Sequence, residues 1–163
     1  MEALNAILQR RSIRKYQSTS MEKNQLEEVV NCGRMAATAR NEQPWEFVVI
    51  RERSRLNAVA ALTDYGKFIA QAAACIAVFC KETKYYLEDG AAAVQNMMVG
   101  AYALGIGTCW VAGDKKPYAR TVAELLNVPG NYKLIALVAL GYPAETPAPP
   151  KRELAEVLHW ETF

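Results

Sequence analysis

At 163 residues, 52% hydrophobic and 22% charged, the chain carries enough apolar content for one globular domain with a real core. A net charge of +2 argues against a nucleic-acid or membrane-surface partner. No apolar run reaches signal-peptide or bilayer-spanning length, so a soluble, cytoplasmic protein is expected. The cysteines, Cys32, Cys75, Cys80 and Cys109, form no C-x-x-C pair, and His159 is the single imidazole. No metal site is expected from such a set. The thiols read as reduced and buried, and Cys109 has no nearby His in sequence that would activate it.

A short amphipathic turn (Leu4, Ile7, Leu8) runs into Arg10-Arg11-Ser12-Ile13-Arg14-Lys15-Tyr16. If that stretch is extended, alternate side chains share one side. Arg10, Ser12 and Arg14 then converge, and two guanidinium forks with a hydroxyl suit a phosphate dianion; the alternative is a solvated basic face. Thr19-x-x-Glu22 has capping-box spacing. Leu26, Val29, Val30 and Gly33 mark the inward stripe of a helix running to about Ala37. Asn41-Glu42-Gln43-Pro44-Trp45 is a polar turn before a buried strand at 47–50, with donors and acceptors on Asn41 and Gln43. A helix follows at 54–62, which Ser54 could cap.

Residues 74–80 are uniformly apolar and predict a central strand. A short connection at 81–88 holds Tyr85 and Tyr86. Residues 89–104 are apolar over most of their girth and predict a core helix, with Asp89 as its cap and Gly105 as its stop. A strand at 108–112 ends against Gly113. A helix at 117–126 has Pro117 in its first turn, and 134–140 is the last strand. Residues 143–150 suit neither helix nor central strand and read as an extended arm leading to an apolar tail at 154–163, where His159 sits beside Trp160. No repeat or second domain is visible, so residues 1–163 form one domain. About four strands alternating with helices fit either α+β or α/β.

Four segments in order resemble the nitroreductase family of FMN-dependent oxidoreductases: Arg10 to Tyr16, residues 37–45, Gly105-Ile106-Gly107-Thr108-Cys109-Trp110, and Gly141-Tyr142-Pro143 with the tail at 154–161. The resemblance covers nearly the whole chain. It implies an α+β three-layer sandwich with a mixed, mainly antiparallel sheet flanked by helices. It also implies a homodimer with FMN at the interface and residues 144–163 packed on the partner subunit.

The implied reaction is ping-pong transfer of hydride from NADH or NADPH through FMN to an electron-poor small molecule such as a nitroaromatic or quinone. By resemblance, Arg10, Arg11, Ser12 and Arg14 hold the phosphate together with a basic residue at Lys151 or Arg152. Thr38, Asn41 and Gln43 reach the flavin from the neighbouring subunit. Val111, Ala112 and Gly113 present backbone to the flavin's reactive N5, so no side chain need act as nucleophile or base. Tyr85 and Tyr86 stand where many members insert a longer lid; they either stack on a substrate ring or lie on the surface. The alternatives are a dehalogenase-like or flavin-cleaving member of the same fold, or a flavin-binding module without turnover.

Overall fold

The computed structural model describes residues 2–163. In chain order its helices and strands are α1 (Ala3–Gln9), α2 (Lys23–Arg34), β1 (Trp45–Ile50), α3 (Arg53–Leu62), β2 (Ala74–Lys81), α4 (Tyr86–Ala103), β3 (Gly107–Ala112), α5 (Ala119–Leu125) and β4 (Tyr132–Gly141). Three short 3-10 turns join them, at Ala39–Asn41, Lys67–Gln71 and Leu154–Glu156. The sheet order is β1-β2-β4-β3. As expected, the sheet is mainly antiparallel: all its strand pairs run antiparallel, and among the described residues an isolated bridge from Ser12 to Thr108 is parallel.

The two central strands are apolar at nearly every position because both of their faces are covered. In β2, Ala74, Ile76, Val78 and Cys80 face a core shared with Leu26 and Val29 of α2 and with Ala93, Val94 and Met97 of α4. Cys75, Ala77 and Phe79 face a second core with Leu56 and Val59 of α3 and Val122 of α5. The result is a three-layer α+β sandwich. No helix of the described residues is long and apolar enough to cross a membrane.

Local chemistry sets several boundaries away from the expected ones. The capping box of α2 is not at Thr19: Glu22 and Gln25 form it, the carboxylate taking the Gln25 backbone N–H while Gln25 Oε1 accepts from the Glu22 N–H at 3.1 Å. That helix stops at Arg34, short of Ala37. Ser54 does not cap α3; Glu52 holds the N-cap position, and the Ser54 hydroxyl donates to its carboxylate at 2.5 Å. Asp89 does not cap α4, which begins at Tyr86 and carries Asp89 buried in its first turn. Gly105 ends that helix as expected, with φ of +77°, a conformation that glycine adopts without steric cost.

β4 contains a bulge. Its register to β2 shifts between Val78↔Ala136 and Phe79↔Leu134, which leaves Ile135 as the extra residue. Ile135 and Ala136 both join the core on the α4 side. Two glycines make room: a Cβ on Gly90 would lie 2.7 Å from Ile135 Cγ1, and one on Gly113 would lie 2.8 Å from the Ile135 carbonyl carbon.

Candidate active site

The segment from Arg10 to Gln17 is extended and pinned on both sides. The Ile13 N–H donates to the Thr108 carbonyl at 2.8 Å, and the Gln17 N–H to the Tyr142 carbonyl at 2.9 Å. Glu145 Oε1 accepts from the backbone N–H of Arg14 (2.6 Å) and of Lys15 (3.1 Å). Ile13 is the buried anchor, seated over Gly107, where a Cβ would meet its Cγ1 at 2.9 Å. With Ile13 turned inward, Arg10, Ser12 and Arg14 fall on the other side by the period of an extended chain.

Their convergence is felt by Cys109 in β3. Burial raises its thiol pKa, while the charge of Arg14, the hydroxyl of Ser12 and the charge of Arg10 pull it back. Tyr16 lies against the same strand, its hydroxyl donating to the Ile13 carbonyl at 2.6 Å. Burial, then Cys109 and Cys75, push its phenol above the ordinary range.

Arg10 carries the decisive feature. Its Nε and Nη1 are buried with no hydrogen-bond partner. Unpaired buried donors on a cation are expensive, and an anion with several acceptor oxygens would satisfy them. Arg11 behaves differently: its Nη1 turns back to the Leu8 and Arg10 carbonyls at 2.9 and 2.8 Å, closing the end of α1, and its Nε alone is left buried and unpaired. Thr108 Oγ1, on the strand bridged by Ser12, is also buried without a partner.

From Arg14 a cleft of about 240 Å³ runs along the free edge of β3, lined by Phe68, Cys109, Trp110, Val111, Ala112 and Tyr118 among others. The Tyr118 hydroxyl donates to the Ala112 carbonyl. Gly113 is buried just beyond, with its own carbonyl accepting from Lys116 N–H at 3.2 Å. Tyr86 Oη donates to Asp114 Oδ1 at 3.3 Å, so this tyrosine stands beside the Gly113 turn. Tyr85 is part-exposed, with Lys84 Nζ 5.1 Å from its ring centroid.

The remaining expected residues lie elsewhere. Thr38, Asn41 and Gln43 sit by the start of α4: Thr38 Oγ1 donates to Asp89 Oδ2 at 2.9 Å, and Ala39 N–H donates to Asp89 Oδ1 at 3.0 Å. The Arg10 cradle sits by the far end of that helix, where Tyr102 Oη bonds Gln9 Oε1 at 3.3 Å. At 1.5 Å per residue, Asp89 and Tyr102 are about 20 Å apart along the helix. One chain therefore does not bring Asn41 and Gln43 to Arg10.

Nor does it bring Arg152 there, because that guanidinium closes on its own tail, Nη2 donating to the Glu156 carbonyl at 2.7 Å. Lys151 is exposed and makes no polar contact with the cradle among the described residues. His159 is exposed, its ring 4.3 Å from that of Phe163. Asp89 and Glu145, whose carboxylates hold the 38–39 and 14–15 backbone, are residues that sequence reasoning did not single out for these roles. Among the described residues, no group of three or more His, Cys, Asp or Glu side chains is placed to hold a metal ion.

A model of the nitroreductase family matches residues 7–86 and 68–142. The chain belongs to the nitroreductase family. A protein of Archaeoglobus fulgidus provisionally named NADH dehydrogenase/NAD(P)H nitroreductase is 33% identical over 151 residues, covering 88% of this chain and 87% of its own. The crystal structure of a protein from Desulfovibrio desulfuricans, provisionally named a nitroreductase and in complex with FMN, superposes with a TM-score of 0.89 at 33% identity, covering 100% of this chain and 98% of the other. A structure from Bacteroides thetaiotaomicron, provisionally named NADH dehydrogenase/NAD(P)H nitroreductase, gives a TM-score of 0.92 at 30% identity over 99% and 98% of the two chains. As a member of this family the protein is an oxidoreductase.

Proposed function

We propose that this nitroreductase binds FMN, accepts hydride from NADH or NADPH, and passes reducing equivalents to an electron-poor small molecule such as a nitroaromatic or quinone. The observation that carries this reading is the pair of buried, unpartnered donors on Arg10 beside Ser12 and Arg14. Phosphate oxygens would satisfy these donors, and the cleft along β3 leads from Arg14 to Ala112, the residue before the buried Gly113. Bound FMN would supply the two-electron redox chemistry.

The chain's own contribution is positional. Arg10, Ser12 and Arg14 anchor the anion, and Thr108 Oγ1 is a further candidate beside them. The free edge of β3, with Val111 and Ala112, is the platform for the ring, and the backbone near Gly113 offers polar groups to its reactive side. Tyr86, fixed to Asp114, borders the acceptor's approach. The FMN complex of the Desulfovibrio desulfuricans relative supports the choice of cofactor.

The same reading includes a homodimer. Asn41 and Gln43 stand about 20 Å from the cradle along α4, so the two half-sites would be joined by pairing the cradle of one subunit with the 38–43 turn of the other. The exposed arm at 144–163 would pack on the partner, carrying Lys151 and Arg152 with it.

The test is spectroscopic. Purified protein is expected to show flavin absorbance, to bind FMN more tightly than riboflavin, and to bleach on anaerobic addition of NADH or NADPH. Equal affinity for FMN and riboflavin would remove the phosphate cradle, and flavin that neither nucleotide reduces would leave a carrier without turnover.

A further inference from the structure

We propose that Asp89 is the positioning residue of the active site, holding the 38–43 turn in the shape that presents Asn41 and Gln43 to the flavin ring. This rests on the reading above that these two side chains meet the ring across the dimer.

The turn has an uncommon backbone. Arg40, Asn41 and Gln43 have φ of 52°, 57° and 49°, the left-handed region that only a few per cent of non-glycine residues occupy. Three such residues within four positions do not hold themselves in place. Among them only Asn has the short amide side chain that tolerates this conformation well. The Asn41 and Gln43 side chains are exposed, and their mutual contact is one 3.3 Å bond from Gln43 Nε2 to the Asn41 carbonyl.

What fixes the turn comes from outside it. Asp89 is 5% exposed, and each of its oxygens accepts one bond from the turn: Oδ2 from Thr38 Oγ1 at 2.9 Å and Oδ1 from Ala39 N–H at 3.0 Å. Thr38 Oγ1 in turn accepts from Gln43 N–H at 3.1 Å. A single carboxylate thus clasps both ends of the left-handed stretch. No ion pair among the described residues involves Asp89. A buried carboxylate without a cation is tolerated only where hydrogen bonds and dipoles replace water; here they are the two donors of the turn and the N-terminal end of the 18-residue α4. Carboxylate and turn therefore hold each other. The Thr38 proton is spent on Asp89, so this hydroxyl serves the flavin through the turn and not as a donor to it.

The test compares Asp89→Ala, Thr38→Val and Arg10→Ala for binding of FMN and of riboflavin, with Asn41→Ala as the reference for the ring contact. If the freed turn keeps its competent shape a tenth of the time, apparent affinity falls about tenfold. Asp89→Ala is expected to weaken FMN and riboflavin by that same factor, whereas Arg10→Ala weakens FMN alone. Adding Asn41→Ala to Asp89→Ala is expected to cost little more, because both remove one contact. A purely structural role would lower the melting temperature without that coupling. Thr38→Val removes the relay to Gln43 and is expected to shift affinity in the same direction by less; it carries the test if Asp89→Ala does not fold. Unchanged flavin affinity in folded Asp89→Ala and Thr38→Val proteins, or losses fully additive with Asn41→Ala, would overturn the proposal while leaving flavin binding intact. A wild-type protein that binds neither flavin would overturn the functional reading beneath it.

Discussion

Arg10 sets function against stability at a single side chain. Its buried Nε and Nη1 have no partner in the protein, a desolvation cost of about 1–3 kcal/mol for the flavin-free fold. Arg10→Ala is therefore expected to weaken FMN binding by about tenfold or more, from a lost charge-assisted contact of about 1.5–3 kcal/mol. The same variant's flavin-free melting temperature should stay equal or rise, as read by calorimetry beside an FMN titration. A second consequence belongs to the sheet thiols. Burial pushes Cys75 up to about 12, and burial followed by the charge of Asp89 does the same for Cys80. An unfolded thiol ionises near 8.5. The stability these groups confer is thus complete below about pH 8.5 and is lost as pH rises through 9 towards 12, by about 1–2 kcal/mol per thiol at pH 10. Urea unfolding at pH 8 and pH 10 should show that fall, and Cys75→Ala should flatten it.

Helices α2 and α4 pack closely where Gly100 meets Cys32. A Cβ on Gly100 would lie 2.5 Å from Cys32 Sγ and 2.9 Å from Cys32 Cβ. Alanine would gain about 1 kcal/mol of helix propensity, yet the overlap forces a shift costing about 1–3 kcal/mol. Gly100→Ala is expected to lower the melting temperature, and Cys32→Ala in the same protein should recover part of the loss. The strands were legible because β2 and β4 are apolar at nearly every position, a pattern that a two-sided burial imposes. The end of α4 was legible because Gly105 needs its left-handed backbone. Its start was not: a carboxylate before an apolar run reads as a cap, whereas Asp89 is a buried clasp. The signal that distinguishes the two is the spacing of Tyr86, Gly90, Ala93 and Met97, which carries the helical stripe back past Asp89. The α2 cap falls at Glu22 and not at Thr19 because Glu can serve where Thr is expected. Candidate site residues can be named by type, but the contacts of Asp89 and Glu145 and the bulge depend on partners remote in sequence.

The molecule as a whole exposes 9726 Å², against about 8,100 Å² for a compact monomer of its mass. Much apolar surface lies on α1 and the tail, where Leu4, Leu8, Leu154, Trp160 and Phe163 are each more than two-thirds exposed. Patches of this kind seek cover. The expected solution species is a dimer of twice the 18.1 kDa of one chain, checked by sedimentation or light scattering at micromolar concentration and held in high salt because the cover is apolar. A stable monomer with full flavin occupancy would refute it. In such a dimer the extra residue of β4 acquires a mechanical meaning. The Ile135 side chain fills the space a Cβ on Gly90, the neighbour of Asp89, would need, and its backbone carbonyl does the same at Gly113. The first of these glycines adjoins the carboxylate that holds the 38–43 turn, and the second follows Ala112 at the end of β3. One misfit in a strand thus meets two segments through different atoms, the Gly90 side through its side chain and the Gly113 side through its backbone. A change in the volume of side chain 135 is therefore expected to act on the Gly90 and Asp89 side, while the contact at Gly113 is kept by the backbone.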